Sequence, residues 1–391
     1  MIILSEIKKI ASLPALWGFM ILLLAFNTMM VFSGDYSREI DYINAVTTVA
    51  GDEYGADYLK RLEAIIPPDE NSDGMAGYVH RTLVSDAQSY SGGIQKSHFT
   101  EEFEGFSKSD WIKNNSFNKS LLSILKNKYE KAKATVAQKN ASGESESIIF
   151  ANRTSVILGY ASGSIGRLML AESVLVSVLI ILFSFSYEQL SNTDLLLYST
   201  KEGRKKLALS KLMASLIASA SAFAVIYAAG YGTFFSINDF SKVWNEPISS
   251  VNNFIEMISG RFPIIAWNAM TVRGYFIFST LLGFLLMLVF FGFAAALGLL
   301  FKDSYIAFGA IAFGVLANII LMFIKPFSLA VYFLIYLLPT GVIFSMPAWF
   351  QYGGTSILFA YQELICTAVW LVLAAAMLLL SMKYFIKKDI K

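Results

Sequence analysis

Glu172 and Glu363 stand inside or against long stretches that otherwise lack charge, and Glu188 closes one of those stretches. A carboxylate at the centre of a bilayer costs up to about 3 kcal/mol, so an acid in such a place faces protein or water rather than lipid. Glu172 and Glu363 are therefore candidates for a substrate pathway. A structural partner or a snorkelling side chain is the plainer reading of both. No other set of residues has the spacing of a reaction centre. His80 and His98 are far apart and read as surface histidines, and a metal at His98 would need Glu101 or Glu102 to join it. Cys366 is the single cysteine, so no intramolecular disulfide can form. The acid-rich run 67–74 lacks the spacing and the closing Glu of an EF-hand. There is no His-Glu-x-x-His, no nucleophile elbow and no Gly-x-x-x-x-Gly-Lys-Ser/Thr loop. The chain thus carries no means of its own to hydrolyse ATP. It reads as no enzyme, with no metal and no cofactor of its own.

Composition explains why charge is so sparse. Hydrophobic residues supply 55% of the 391 and charged ones 15%, against ~25% charged in an ordinary soluble domain. Mean hydropathy is +0.56. These values exclude a soluble enzyme, a disordered chain and a nucleic-acid binder, and point to membrane lipid as the surroundings. A helix needs ~20 mostly apolar residues to span a bilayer. Stretches of that kind predict spans over 16–33, 167–187, 211–236, 274–301, 304–324 and 358–382. The uncharged segment 325–357 is long enough for a seventh. It holds Pro326, Pro339, Pro347 and the Gly353-Gly354 pair, which suit a re-entrant dip with short helices.

Charge argues the same way. With six spans, both termini and the loop 188–210 share one side. That side carries 12 basic residues: Lys8, Lys9, Lys201, Arg204, Lys205, Lys206, Lys211, Lys302, Lys383, Lys387, Lys388 and Lys391. The short connections opposite, 237–273 among them, carry only Lys242, Arg261, Arg273 and Lys325. Positively charged loops stay in the cytoplasm, so both termini and the tail 383–391 are predicted inside a plasma membrane. A seventh span would carry the last four lysines out.

Two further segments are legible. Residues 1–15 place Ile3, Ile7 and Ile10 at helical spacing with Glu6, Lys8 and Lys9 between them, an amphipathic helix for the cytoplasmic interface. Pro14 then turns the chain into the membrane. A disordered tail is the alternative. Residues 34–166 hold 18 acidic and 14 basic residues and read as an extracellular domain between the first two spans. Its helical periodicity is clearest over 117–138 and 52–66, the second stopped by Pro67-Pro68.

The loop 188–210 carries the strongest signal. Ser191 and Asp194 form a variant capping box for a short helix containing Leu195, Leu196, Leu197 and Tyr198, and Gly203 is expected to end it before a basic cluster. Exposed leucines on a cytoplasmic helix need lipid or a protein groove to cover them. A solvated basic loop is the bland alternative. This loop resembles that of ABC transporter permeases of the type-2 exporter family. The resemblance lies in an acid ending the second span (Glu188), a short Leu-Leu helix (Leu196-Leu197), a downstream arginine (Arg204) and a lysine opening the third span (Lys211). The family often has a proline shortly before the arginine, where Lys201-Glu202-Gly203 stands here.

The resemblance implies an all-α polytopic fold with six spans and a coupling helix seated on a separate ATPase. The contact would run from Gln189 to Tyr198 and include Leu190. Glu188, Arg204 and Lys211 would fix its frame. It implies two ATPase subunits carrying ATP and Mg, a second permease subunit, no nucleic acid, a bacterial source, and export of a peptide, lipid, drug or ion. The alternative is a sensing or mechanotransmission subunit whose extracellular domain binds a ligand or partner while no solute crosses.

Overall fold

The computed structural model describes residues 2–32, 35–51, 57–66, 74–89, 118–142, 158–190, 201–238, 240–241, 243–250, 252–253, 262–263, 265–301, 303–323, 329–352 and 356–387. Within these, six helices are long and apolar enough to cross a membrane: Pro14–Phe32, Tyr160–Glu188, Arg204–Ile237, Val272–Leu300, Ser304–Phe323 and Gln362–Lys387. The chain is thus a multi-pass, helical membrane protein.

In chain order, α1 (Ile2–Ala11) precedes α2 (Pro14–Phe32), with Pro14 at the first helical position, where a missing N–H costs nothing. Among the described residues before the second span come α3 (Asp35–Ala50), α4 (Tyr58–Glu63), α5 (Gly74–Ser89) and α6 (Asn118–Ala141). A π-helical stretch, Tyr160–Gly166, runs directly into α7 (Arg167–Leu190). Then come α8 (Lys201–Ile237), α9 (Val272–Leu300) and α10 (Ser304–Phe323). Two short helices, α11 (Leu329–Tyr336) and α12 (Pro339–Phe344), precede the last span, α13 (Gln362–Lys387). The β-structure is minimal. Asn252–Asn253 pairs antiparallel with Phe262–Pro263, and bridges Pro247–Thr271 and Ala266–Gln351 tie the connection before α9 to its surroundings.

Helix α7 is the central post. In its apolar stretch 72% of residues are buried, against 17% for α2 and 11% for α10, which lie at the periphery. It packs against α8 and α9, and α9 packs along α13. A Cβ added at Gly292 would lie 3.0 Å from the Ala374 Cβ, so glycine permits that close approach. The helices α3, α4 and α5 pack on one another, with Ile43, Leu62 and Leu83 buried among them. Helix α6 instead places Leu121, Leu125 and Tyr129 in a cluster with Tyr332 of α11, Ile265 and Leu358.

Four expectations need correction. Gly203 does not end a helix; it lies in the first turn of α8, which begins at Lys201 rather than at 211. Glycine costs about 1 kcal/mol in a helix interior, but at the third position its N–H has no intrahelical partner to lose. The Leu207-Ala208-Leu209 run beyond it favours helix strongly. Helix α13 continues to Lys387, so most of the expected tail is the end of the last span's helix. Glu6, expected on a polar face, is 3% exposed, whereas Ile3 is 40% exposed. His80 is buried rather than on the surface: its Nδ1 lies 3.0 Å from the Tyr42 hydroxyl, and the two rings meet edge to face. His98 and the run 67–73 lie outside the described residues.

Candidate functional site

The polar residues gather at three places. The first is the end of the bundle that carries α1. Ser184 and Glu188 lie one turn apart near the end of α7, and Lys211 faces them from α8. The Lys211 ammonium donates to both the Glu188 carboxylate and the Ser184 carbonyl. Glu188 and Lys211 are each 1% exposed. Lys9 of α1 reaches the other Glu188 oxygen at 3.2 Å and Glu6 at 2.6 Å. Its ammonium also stands 5.2 Å from the centre of the Tyr187 ring. Burial works against the Lys9 charge, but the two carboxylates outweigh it and hold the pKa above the ordinary lysine value. Two acids and two bases thus form a quartet of no net charge across α1, α7 and α8.

Such a quartet is costly to open. Removing one partner of a buried ion pair leaves the other charge stranded, at about 3–5 kcal/mol. In the chain, α7 ends at Leu190, two residues past Glu188, and α8 begins at Lys201, ten residues before Lys211. Asp194, Leu195, Leu196, Leu197 and Tyr198 lie outside the described residues, as does the Leu190 side chain. Arg204 lies within α8 one turn past its start. The sequence pointed to Glu188 and Lys211 individually. Lys9 and Glu6 were missed, because nothing in a pattern read along the chain pairs residue 9 with residue 188.

The second place is the contact between the first two spans. The Asn27 side-chain amide of α2 donates to Glu172 Oε2 at 2.6 Å, and both residues are buried. Among the described residues, Glu172 Oε1 and Asn27 Oδ1 have no hydrogen-bond partner. Asn27 is the only side-chain amide in α2, a signal available in the sequence and not used.

The third place is the start of α13. Glu363 Oε1 accepts from the Phe350 backbone N–H at 2.8 Å, and Gln362 Oε1 accepts from Leu358 N–H at 2.8 Å. Phe350 has φ 61°, in the left-handed region that β-carbon-bearing residues avoid. The Phe350 carbonyl accepts from Trp267 N–H at 3.1 Å. Glu363 therefore pins a strained corner between the short helices and the last span. Glu172 and Glu363, both candidates for one pathway, bond to different partners; among the described residues no hydrogen bond joins them. Nor do the described residues hold a cluster of three or more His, Cys, Asp or Glu side chains suited to a metal.

Fold and polar sites together define a multi-pass helical membrane protein, with six span-length helices among the described residues and a buried ionic cluster at one end of the bundle. Set against protein-family models, curated proteins and solved structures, the chain matches none.

Proposed function

We propose that this chain is the permease subunit of an ATP-driven exporter, coupled through residues 189–198 to a separate ATPase subunit. In this reading two permeases and two ATPases assemble in the plasma membrane of a bacterium. Both termini face the cytoplasm, where the basic residues concentrate. ATP and Mg belong to the partner, and the solute is a peptide, lipid, drug or ion.

The observation that carries the reading is the quartet. A loop that passes force into a membrane domain needs rigid attachment where it meets the spans. Lys211 and Glu188 clamp the two helices on either side of 191–200, and Lys9 adds α1 to the same clamp. The sequence places three consecutive leucines at 195–197, and burying one in a partner groove is worth about 1.5–3 kcal/mol.

The test is purification of the full chain from its native membrane, followed by ATP hydrolysis and identification of co-purifying subunits. An ATPase is expected with the wild type and lost with Leu196→Asp. Val372→Asp, on an exposed face of the last span, controls for failed membrane insertion. Absence of any ATPase from the wild-type preparation, or full retention of coupled hydrolysis by Leu196→Asp, overturns the reading.

A second reading has one observation in its favour. The packing of α6 on α11 joins the segment between the first two spans to the hairpin between the last two, which suits a sensing or mechanotransmission subunit. ATP-driven solute accumulation in inverted vesicles separates the two readings, since only an exporter produces it.

A further inference from the structure

A groove of about 720 Å³ opens between the ends of α8 and α9 on the side of the bundle away from the ionic quartet. It has the size of a small-molecule site. Tyr231 and Phe235 come from the last turns of α8, Trp244 from the connection, and Phe276, Thr280 and Leu281 from the first turns of α9. The aromatic rings hold one another: Phe235 lies 4.8 Å from Trp244 and 5.2 Å from Phe276 between ring centres. Leu281 is 55% exposed and Ile277 52%, so the open flank is the flank that meets lipid.

Among the described lining residues Arg273 is the one cation. Arg273 is exposed, and its guanidinium donates to Asn245 Oδ1 at 2.9 Å. Among the described residues no carboxylate forms an ion pair with it. Glu246, close in sequence, is joined to α9 through its backbone carbonyl, which accepts from Val272 N–H. The backbone amides opening α9 are likewise occupied: Arg273 N–H donates to the Trp244 carbonyl and Gly274 N–H to Thr271 Oγ1. The charged group left to recognise a ligand among the described lining residues is therefore the arginine. From Arg273 to Leu281 the helix descends about 12 Å, at 1.5 Å per residue.

We infer that this groove binds an anionic phospholipid, its phosphate on Arg273 and an acyl chain along the aromatic wall. Arginine presents a planar fork that matches phosphate with paired hydrogen bonds. An interfacial aromatic belt alone would account for the rings. It does not account for a cation that no carboxylate pairs with among the described residues, at the head of an open apolar channel. The site needs no ATPase and does not depend on the chain being an exporter.

The experiment uses the full-length chain in neutral detergent. Binding of phosphatidylglycerol, phosphatidylcholine and inorganic phosphate is followed by native mass spectrometry and thermal unfolding. Phosphatidylglycerol should bind about fivefold more tightly than phosphatidylcholine, the worth of one basic side chain beside an anionic lipid. Arg273→Gln should erase that ratio, and Thr280→Trp, which fills the groove, should weaken both lipids. Equal binding of the two lipids by the wild type overturns the inference without recourse to any variant. So does stabilisation by inorganic phosphate equal to that by phosphatidylglycerol, which would mark a plain anion site. Unchanged lipid binding in Thr280→Trp would place the acyl chain elsewhere and also refute it.

Discussion

Replacing Lys211 with methionine isolates the ionic cluster at one end of the bundle. Methionine fills much of the lysine stem's volume and removes the charge. Two bonds go with it, to the Glu188 carboxylate and to the Ser184 carbonyl. Glu188, 1% exposed, keeps Lys9, whose side chain is 28% exposed and is shared with Glu6. Loss of one partner from a buried pair costs about 3–5 kcal/mol, and the surviving Lys9 contact places this case at the low end, about 3 kcal/mol. At 1.4 kcal/mol per tenfold, opening of the α7–α8 contact becomes roughly 100-fold more frequent.

The assay is hydrogen exchange at the amides of residues 184–188 in the full chain, which reads local opening without requiring two-state unfolding. Glu188→Leu should accelerate exchange too, since it strands Lys211. The double variant should exchange close to wild type: Lys9 retains Glu6 at 2.6 Å, and two apolar side chains now meet. A buried pair replaced by packed apolar groups is often neutral or stabilising. Strictly additive effects of the two substitutions, or less than threefold acceleration in Lys211→Met, would show that the quartet does not bind α7 to α8.

Two further outcomes follow from the polar pairs. Glu172→Gln should leave stability close to wild type, because an amide can still pair with Asn27, while Glu172→Leu strands that amide at about 1–3 kcal/mol; thermal unfolding in detergent distinguishes them, and equal melting of the two variants refutes a structural pair. Burial lowers the His80 pKa, so the folded chain resists a proton that the unfolded chain accepts near its usual value of about 6.5. Stability of α5 should therefore fall as pH drops through that region and hold above it. Exchange at the α5 amides, corrected for intrinsic rates, should accelerate between pH 7 and pH 5.5 in the wild type and not in His80→Phe; equal acceleration in both removes His80 as the cause.

Legibility from sequence followed the length of the physical signal. Apolar runs of twenty residues announce spans because the bilayer sets that length, and Pro339 and Pro347 fall in the short helices and turn that interrupt the segment before the last span. The start of α8 was not legible. Gly203 and a row of basic residues both argue against helix locally, and the favourable residues lie beyond them. His80 was read as exposed because histidine is polar; its burial depends on Tyr42, thirty-eight positions away. The same distance problem hid Lys9 and Asn27. Each is unremarkable until another helix is placed against it, and only the third dimension supplies Glu188 and Glu172 as their partners.

The placement of these pairs gives α7 a particular mechanical standing. Near one end it is bonded to α1 and α8 through Glu188. Sixteen residues earlier, about 24 Å along the axis, it is bonded to α2 through Glu172. An interior with little water strengthens both bonds. Displacement of α7 is therefore shared with α1, α2 and α8, whereas α10, which is mostly exposed, has no comparable polar tie among the described residues to α7. Among the described residues, polar side-chain bonds thus join the first three spans and the N-terminal helix through α7. The extensive contact of α7 with α9, by contrast, contains no ion pair among the described residues and is held by packing.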